Sequence, residues 1–146
     1  MSDSPALVDT NVLVYAVYPE SEHHAASRGF LDKAQSGELS LCIAVQTLAE
    51  FYAVVTDSRR VAVPRGPEEA LATMETIAAM PGMTLLPVPA DALERLLVLA
   101  RKYPVTRGAV FDLQLLATML GNGVRTIYTF NRQHFERFDE IDVLTP

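Results

Sequence analysis

Short apolar runs alternate with longer amphipathic ones along the whole of this 146-residue chain. Ala6–Asp9 is a brief apolar run that ends on an acid, and it predicts a buried strand. Asn11–Tyr18, stopped by Pro19, predicts a helix, and Glu22–Gln35 a second one with Gly37 as its stop. Leu39–Ile43 predicts another strand. Over Ala44–Thr56, residues Val45, Leu48, Ala49, Tyr52 and Val55 recur at helical spacing and predict one buried face. Asp57–Pro67 is a loop broken by Pro64, Gly66 and Pro67. Pro67–Met80 predicts a helix with proline at its first position and Gly82 beyond its end. Thr84–Val88 is a third strand, interrupted by Pro87. Ala90–Tyr103 is a helix with Asp91 and Glu94 suited to its first turn and Arg101 and Lys102 to its last. Val110–Leu120 is another helix, closed by Gly121 and Gly123. Arg125–Phe130 is a fourth strand, Gln133–Arg137 a short turn and Ile141–Leu144 a fifth strand.

This alternation of strand and helix predicts a parallel sheet with helices on both faces. In such sheets ligands bind in the crevice at the carboxyl ends of the strands, which is where Asp9 falls. The length is that of one ordinary domain, expected to span residues 1–146. At 49% apolar and 21% charged residues, the composition is globular and not disordered. No run of about 18 uninterrupted apolar residues exists to span a membrane. The start of the chain has neither a basic segment nor a secretory apolar segment, so a cytoplasmic protein is expected. The single cysteine, Cys42, sits in an apolar run and reads as a small buried hydrophobe; one cysteine excludes an internal disulfide and a cysteine-based zinc cluster. A net charge of −6 argues against non-specific coating of nucleic acid. It leaves room for a nuclease, whose site is itself acidic. Lys33 and Lys102 are the only lysines among 12 cationic residues, and arginine favours bidentate phosphate or carboxylate contacts.

Three acids stand where a fold would not want them. Asp9 ends the first strand, Glu50 interrupts Leu48–Val55, and Asp112 interrupts Val110–Leu116. Each has an ordinary structural explanation. Asp9 can cap the next helix, although a capping box would need Glu or Gln at position 12, where Val12 stands. Asp112 can be a first-turn acid favoured by the helix dipole. Glu50 can be a half-exposed surface residue beside Gln46 and Asp57. Taken together, three acids from different elements converging at the strand ends would repel one another and take up protons unless a cation neutralised them. Oxygen ligands without cysteine or a histidine set point to a hard ion, Mg²⁺ or Mn²⁺. Such an ion orients water against phosphate and stabilises the charge that develops.

These residues resemble the PIN-domain ribonucleases, and within them the VapC-type toxins of bacterial toxin–antitoxin pairs. Leu7 to Leu13 is similar to the opening motif, in which the Asp is a metal ligand and the following Thr and Asn support it. Gln46 to Phe51 is similar to the second motif, with Glu50 as its acid. Phe111 to Ala117 is similar to the third, with Asp112. The closing segment, from Ile127 through Asn131 and His134 to Pro146, is similar to the last strand, turn and terminal strand. The resemblance covers essentially the whole chain. It implies a three-layer α/β/α fold with a central parallel sheet of about five strands. It implies a Mg²⁺-dependent endoribonuclease, with Mn²⁺ able to substitute, acting on tRNA or rRNA. It also implies a homodimer and a cognate antitoxin that occupies the site, often with an Arg or Lys among the carboxylates. Asp9, Glu50 and Asp112 become the metal ligands. Many relatives carry a further Asp where this chain has Asn131, which keeps an acceptor oxygen but no charge. Asn131 is therefore placed with the catalytic set as a positioner of water, or else it caps the short turn that follows. Thr129 is a further candidate from the same strand end.

Other residues carry weaker signals. Adjacent His23 and His24 do not share a helix face and make a poor metal pair; they read as solvated surface. His134 and Arg107 are candidates for substrate contact, as are Arg59, Arg60 and Arg65 for phosphates. Tyr15, Tyr18, Phe51 and Tyr52 read as core or dimer interface. Two other functions remain open. A haloacid-dehalogenase-like phosphatase also begins with an Asp after a strand, but it wants a second Asp where Asn11 stands. A degenerate PIN domain would bind RNA or protein without cutting, with Asn131 as its support.

Overall fold

The computed structural model describes residues 4–146. The reading of the chain's start as leaderless draws on residues 1–3, which lie outside them. Five strands form one sheet: β1 Ala6–Val8, β2 Leu41–Ala44, β3 Met83–Leu86, β4 Thr126–Tyr128 and β5 Asp142–Leu144. Their order is β3-β2-β1-β4-β5, and every pairing is parallel. Leu7 is the centre of the register, opposite Cys42 on one side and Ile127 on the other. The chain runs outward from β1 to β3, then returns to the far side of β1 to make β4. The crevice where ligands enter such sheets therefore opens at the carboxyl ends of β1 and β4.

Successive residues of a strand face opposite sides, so β1 feeds two cores. Ala6 and Val8 join Leu41 and Ile43 under α1 Thr10–Val17, α2 His24–Gln35, α3 Val45–Val55 and α4 Pro67–Ala78. Leu7 joins Cys42, Ala44 and Ile127 under α5 Ala92–Lys102 and α6 Val110–Gly121. The result is the expected three-layer α/β/α sandwich. Leu7, Val8, Ile43 and Ile127 have no exposed surface. Each such side chain contributes about 1.5–3 kcal/mol by leaving water.

The element limits shift by one to three residues from the sequence reading, with two informative differences. First, α1 begins at Thr10, and Asp9 does occupy its cap: the carboxylate Oδ1 accepts the Thr10 N–H at 2.8 Å. No capping box is required. Second, the buried face of α3 is Thr47, Leu48, Phe51 and Val55, while Val45 is 59% exposed. The helix is turned so that Thr47, whose Oγ1 accepts the Ala44 N–H at 3.2 Å, points inward. Val45 and Ala49 instead border a groove beside α5 and α6. No helix among the described residues is long and apolar enough to cross a membrane.

Gly82 marks the tightest backbone crossing. Its N–H donates to the Ala34 carbonyl at 2.8 Å, and its own carbonyl accepts from Leu41 at 2.7 Å. A Cβ at this position would run into the carbonyl oxygens of Leu39 and Ala34. Backbone atoms cannot swing aside as a side chain can. Gly82→Ala is expected to lower stability by about 1–3 kcal/mol, read as a lower urea midpoint with an unchanged slope. An unchanged midpoint would mean that the crossing relaxes freely.

Candidate active site

The two strand ends at the crevice supply the site's first half. Asp9 follows β1 and Thr129 follows β4. Asp9 is 9% exposed and Thr129 fully buried. The Thr129 hydroxyl donates to Asp9 Oδ2 at 2.8 Å. Its oxygen accepts from Asn11 Nδ2 at 3.2 Å and from the Asn131 N–H at 2.9 Å. Asn11 Nδ2 also lies 3.3 Å from Asp9 Oδ2, and Asn11 Oδ1 accepts the Phe130 N–H at 3.2 Å. A single hydroxyl thus joins the end of β1, the first turn of α1 and the segment after β4.

The second half comes from α3 and α6. Glu50 Oε2 accepts the Thr10 hydroxyl at 3.0 Å, and Oε1 accepts Gln46 Nε2 at 3.1 Å. Gln46 Nε2 also donates to the Phe111 carbonyl at 2.8 Å. That contact ties Glu50 to the start of α6, whose first turn carries Asp112. Asp112 Oδ2 stands 3.8 Å from His134 Nδ1.

All four residues singled out from the sequence, Asp9, Glu50, Asp112 and Asn131, line one cleft of about 470 Å³. Thr10, Asn11, Tyr15, Arg60 and His134 line it too. Asn131 is exposed at the rim, and its side chain makes no capping bond to the turn Arg132–His134, which removes the cap explanation. Of the three loop arginines only Arg60 borders the cleft. Arg59 bonds Asp57, and Arg65 bonds Glu69 and the Val17 carbonyl. His134 and Arg137, not Arg107, are the basic side chains that act on Asp112. The sequence places Gln46 on the helix face of Glu50 and at the start of the second motif without a role of its own; the role, holding Glu50 from four residues away, comes from the structure.

The electrostatics are those of acids that their neighbours offset only in part. Burial pushes the Asp9 carboxyl above the usual range; the bonds from Thr129 and Thr10 oppose this, and Glu50 and Asp112 add to it. Burial also raises Asp112, with His134 and Arg137 opposing and Glu50 adding. Among the described residues, no three Asp, Glu, His or Cys side chains lie close enough to enclose an ion unaided. A Mg²⁺ or Mn²⁺ site does not require that. These ions keep several waters and take one or two protein carboxylates together with substrate phosphate. The donor set, oxygen only and in excess negative charge, fits such an ion.

The PIN domain family model matches residues 6–141. The chain belongs to the PIN-domain family. The parallel sheet described above is therefore the PIN sheet, and Asp9, Glu50 and Asp112 all lie within the matched span. The VapC ribonuclease Mb2897 of Mycobacterium bovis is 36% identical over 74 residues, 51% of this chain and 50% of that protein. Ribonuclease VapC43 of Mycobacterium tuberculosis matches to the same extent. The match spans about half the length of these curated relatives. Among solved structures, VapBC2 of Rickettsia felis, described as bound to a promoter DNA fragment, aligns with a TM-score of 0.65 at 16% identity, over 98% of this chain and 99% of that one. Mycobacterium tuberculosis VapC20, described as a sarcin–ricin loop cleaving toxin, aligns with a TM-score of 0.62 at 16% identity, over 93% and 98%. At these identities the structural likeness establishes the fold.

Beside this PIN cleft lies a second, apolar groove of about 610 Å³ between α3, α5 and α6. It shares Glu50 and Ala53 with the cleft. Val45, Val88, Leu93 and Phe111 line it and are 54–72% exposed.

The raised carboxyl of Asp112 gives a pH prediction for the ion-free protein. Between its unfolded and folded pKa values the folded chain binds more protons, so this group's contribution to stability falls as pH rises through that interval. Above it the penalty is complete; below the unfolded value it is absent. Asp112→Asn is therefore expected to melt higher than the parent at neutral pH in chelator. The advantage should vanish on acidification. Equal melting temperatures throughout would show that Asp112 carries no such penalty.

Proposed function

We propose that this chain is a Mg²⁺- or Mn²⁺-dependent endoribonuclease toxin of the VapC type. Its substrate is cellular RNA of the tRNA or rRNA class, it works in the cytoplasm, and a cognate antitoxin neutralises it. The observation that carries this reading is the cleft itself: Asp9, Glu50 and Asp112 come from three elements and share one opening, with two of the carboxyls pushed up by burial and mutual repulsion. The similarity to proteins named VapC ribonucleases supports the reaction class. The structural neighbours VapBC2 and VapC20, the latter described as a sarcin–ricin loop cleaving toxin, support the biological setting.

In this reading Asp9, Glu50 and Asp112 would hold the cation between them, in part through the waters that it keeps. When bound, the ion neutralises the acids and stabilises the charge that develops on the phosphate oxygens. The remaining work falls to the chain. Thr129, Asn11 and the Thr10 N–H fix both oxygens of Asp9, leaving little freedom for it to turn away. Thr10 and Gln46 do the same for Glu50. Asn131, exposed at the rim, offers an amide oxygen that accepts from and orients the attacking water. His134 and Arg60 border the cleft on the side where RNA phosphates would enter. An antitoxin arginine would satisfy the same carboxylates, since a guanidinium bonds two carboxylate oxygens at once. The apolar groove, continuous with the cleft, is assigned to a second copy of this chain, giving the homodimer.

The test of the reaction is cleavage of total bacterial RNA by the purified, antitoxin-free protein with Mg²⁺ or Mn²⁺ against chelator. Discrete fragments are expected only with the ion. Asp9→Asn should slow cleavage by at least ~100-fold, because even residues that merely support metal ligands cost up to about that much. Cleavage by Asp9→Asn at the parent rate would remove the assigned site. Absence of cleavage by folded protein over a broad RNA panel would favour the degenerate, binding-only PIN domain. Leu93→Glu places a charge in the apolar groove and should yield monomers in sedimentation velocity. A persistent dimer would move the interface elsewhere.

A further inference from the structure

Tyr15, His23 and Phe130 come from α1, the turn before α2 and the segment after β4, and their rings pack together next to the cleft, with Phe130 also against the first core. His23 stacks on Phe130 with ring centroids 4.2 Å apart and planes 21° apart. Tyr15 meets Phe130 edge-on at 5.5 Å and His23 at 5.1 Å. Other ring pairs are anchored in the cores: Phe30 is 8% exposed, Phe135 3% and Phe138 2%. The cleft-edge rings are only half-buried, and the His23 side chain is 37% exposed. Tyr15 itself lines the carboxylate cleft.

This cluster is wired to the acids. Asn11, which bonds Asp9, also holds the Phe130 N–H. Tyr15 lies six residues beyond Asp9 on the same helix, about 9 Å along its axis. The His24 ring nitrogen Nδ1 meets the Tyr15 carbonyl at 2.8 Å, which fixes the turn carrying His23 against α1. The stack of imidazole on phenyl thus has a fixed position relative to the carboxylates, and the His23 side chain keeps 37% of its surface open beside Glu22.

We infer that Tyr15, His23 and Phe130 form a nucleobase subsite, which receives the unpaired base of a nucleotide next to the scissile phosphate. The inference rests on the ribonuclease reading and deepens it. Aromatic faces hold bases that are already unstacked, while a base inside a duplex has no free face to offer. The subsite therefore selects single-stranded or looped RNA over duplex. It is tolerant of base identity, because every base presents a π face. Arg60 and His134 at the same cleft take the phosphates, so charge and stacking divide the nucleotide between them.

The test is fluorescence anisotropy of a 5′-labelled mixed-sequence octaribonucleotide, single-stranded or annealed to its complement, with Ca²⁺ as the cation. His23→Leu is expected to weaken single-strand binding about tenfold, a loss within the range of one base–aromatic stack. His23→Phe should bind as the parent does. An abasic ribose at one position should weaken the parent similarly and cost His23→Leu nothing more. Thermal melts check that both variants fold. Equal binding by parent and His23→Leu, equal losses for Leu and Phe, or equal affinity for duplex and single strand would each overturn the subsite. If Asp9→Asn still abolishes cleavage in those cases, the ribonuclease reading survives and the subsite alone falls. Absence of any RNA binding by the parent would overturn both.

Discussion

A carboxylate held out of water at the end of a central strand is costly, and the surrounding structure is arranged around that cost. Burying an isolated ionised carboxylate would cost far more than a domain's net stability. Asp9 lies almost wholly inside, yet it accepts a backbone N–H from Thr10, the Thr129 hydroxyl and the Asn11 amide. Those donors arrive only because β1 lies between β2 and β4 in a parallel sheet. Parallel pairing brings the carboxyl ends of β1 and β4 together, and with them residues 9 and 129, 120 positions apart in the chain. The hydrogen bonds lessen the cost without removing it, as the raised carboxyl of Asp9 shows. What remains is a standing attraction for positive charge.

The sheet and helices were legible because their signals are local and redundant. Apolar runs of strand length, separated by amphipathic stretches with stops at Pro19, Gly37 and Gly82, leave few alternatives to a parallel α/β sandwich. The acids were legible for a related reason: Asp9, Glu50 and Asp112 break apolar patterns that otherwise run through them. Less legible was rotation about a helix axis. Val45 and Ala49 share a helical spacing with Leu48 and Val55, so periodicity alone put them in the core. The inward bond made by Thr47 turned α3 the other way. A polar residue satisfied by its neighbour's backbone can occupy a core position, and a sequence pattern has no means to show the bond.

The aromatic cluster was hidden for a different reason. Positions 15, 23 and 130 belong to separate elements, and each alone suits packing or surface. Only the sheet order joins them. Thr129 and Asn11 show the same thing in miniature: both stood inside recognised motifs as candidates, but that a single hydroxyl serves Asp9, Asn11 and Asn131 is a property of three dimensions. Asn131 lost its capping role by the same test, since its side chain makes no such bond.

Gln46 stands at the wall between two depressions. One carboxamide holds the Glu50 carboxylate on the cleft side and the Phe111 carbonyl on the groove side, while its own oxygen is buried without a partner. The groove and the cleft are therefore not independent vessels. A guest in the groove that tightened or loosened the grip of Gln46 would change how firmly Glu50 is presented, and a charge captured by Glu50 would pull back on the groove through the same amide. Thermodynamic linkage makes that exchange symmetrical: whatever factor one occupant imposes on the other's affinity is returned in full. Occupancy of the groove and the placing of Glu50 would then be two readings of a single equilibrium.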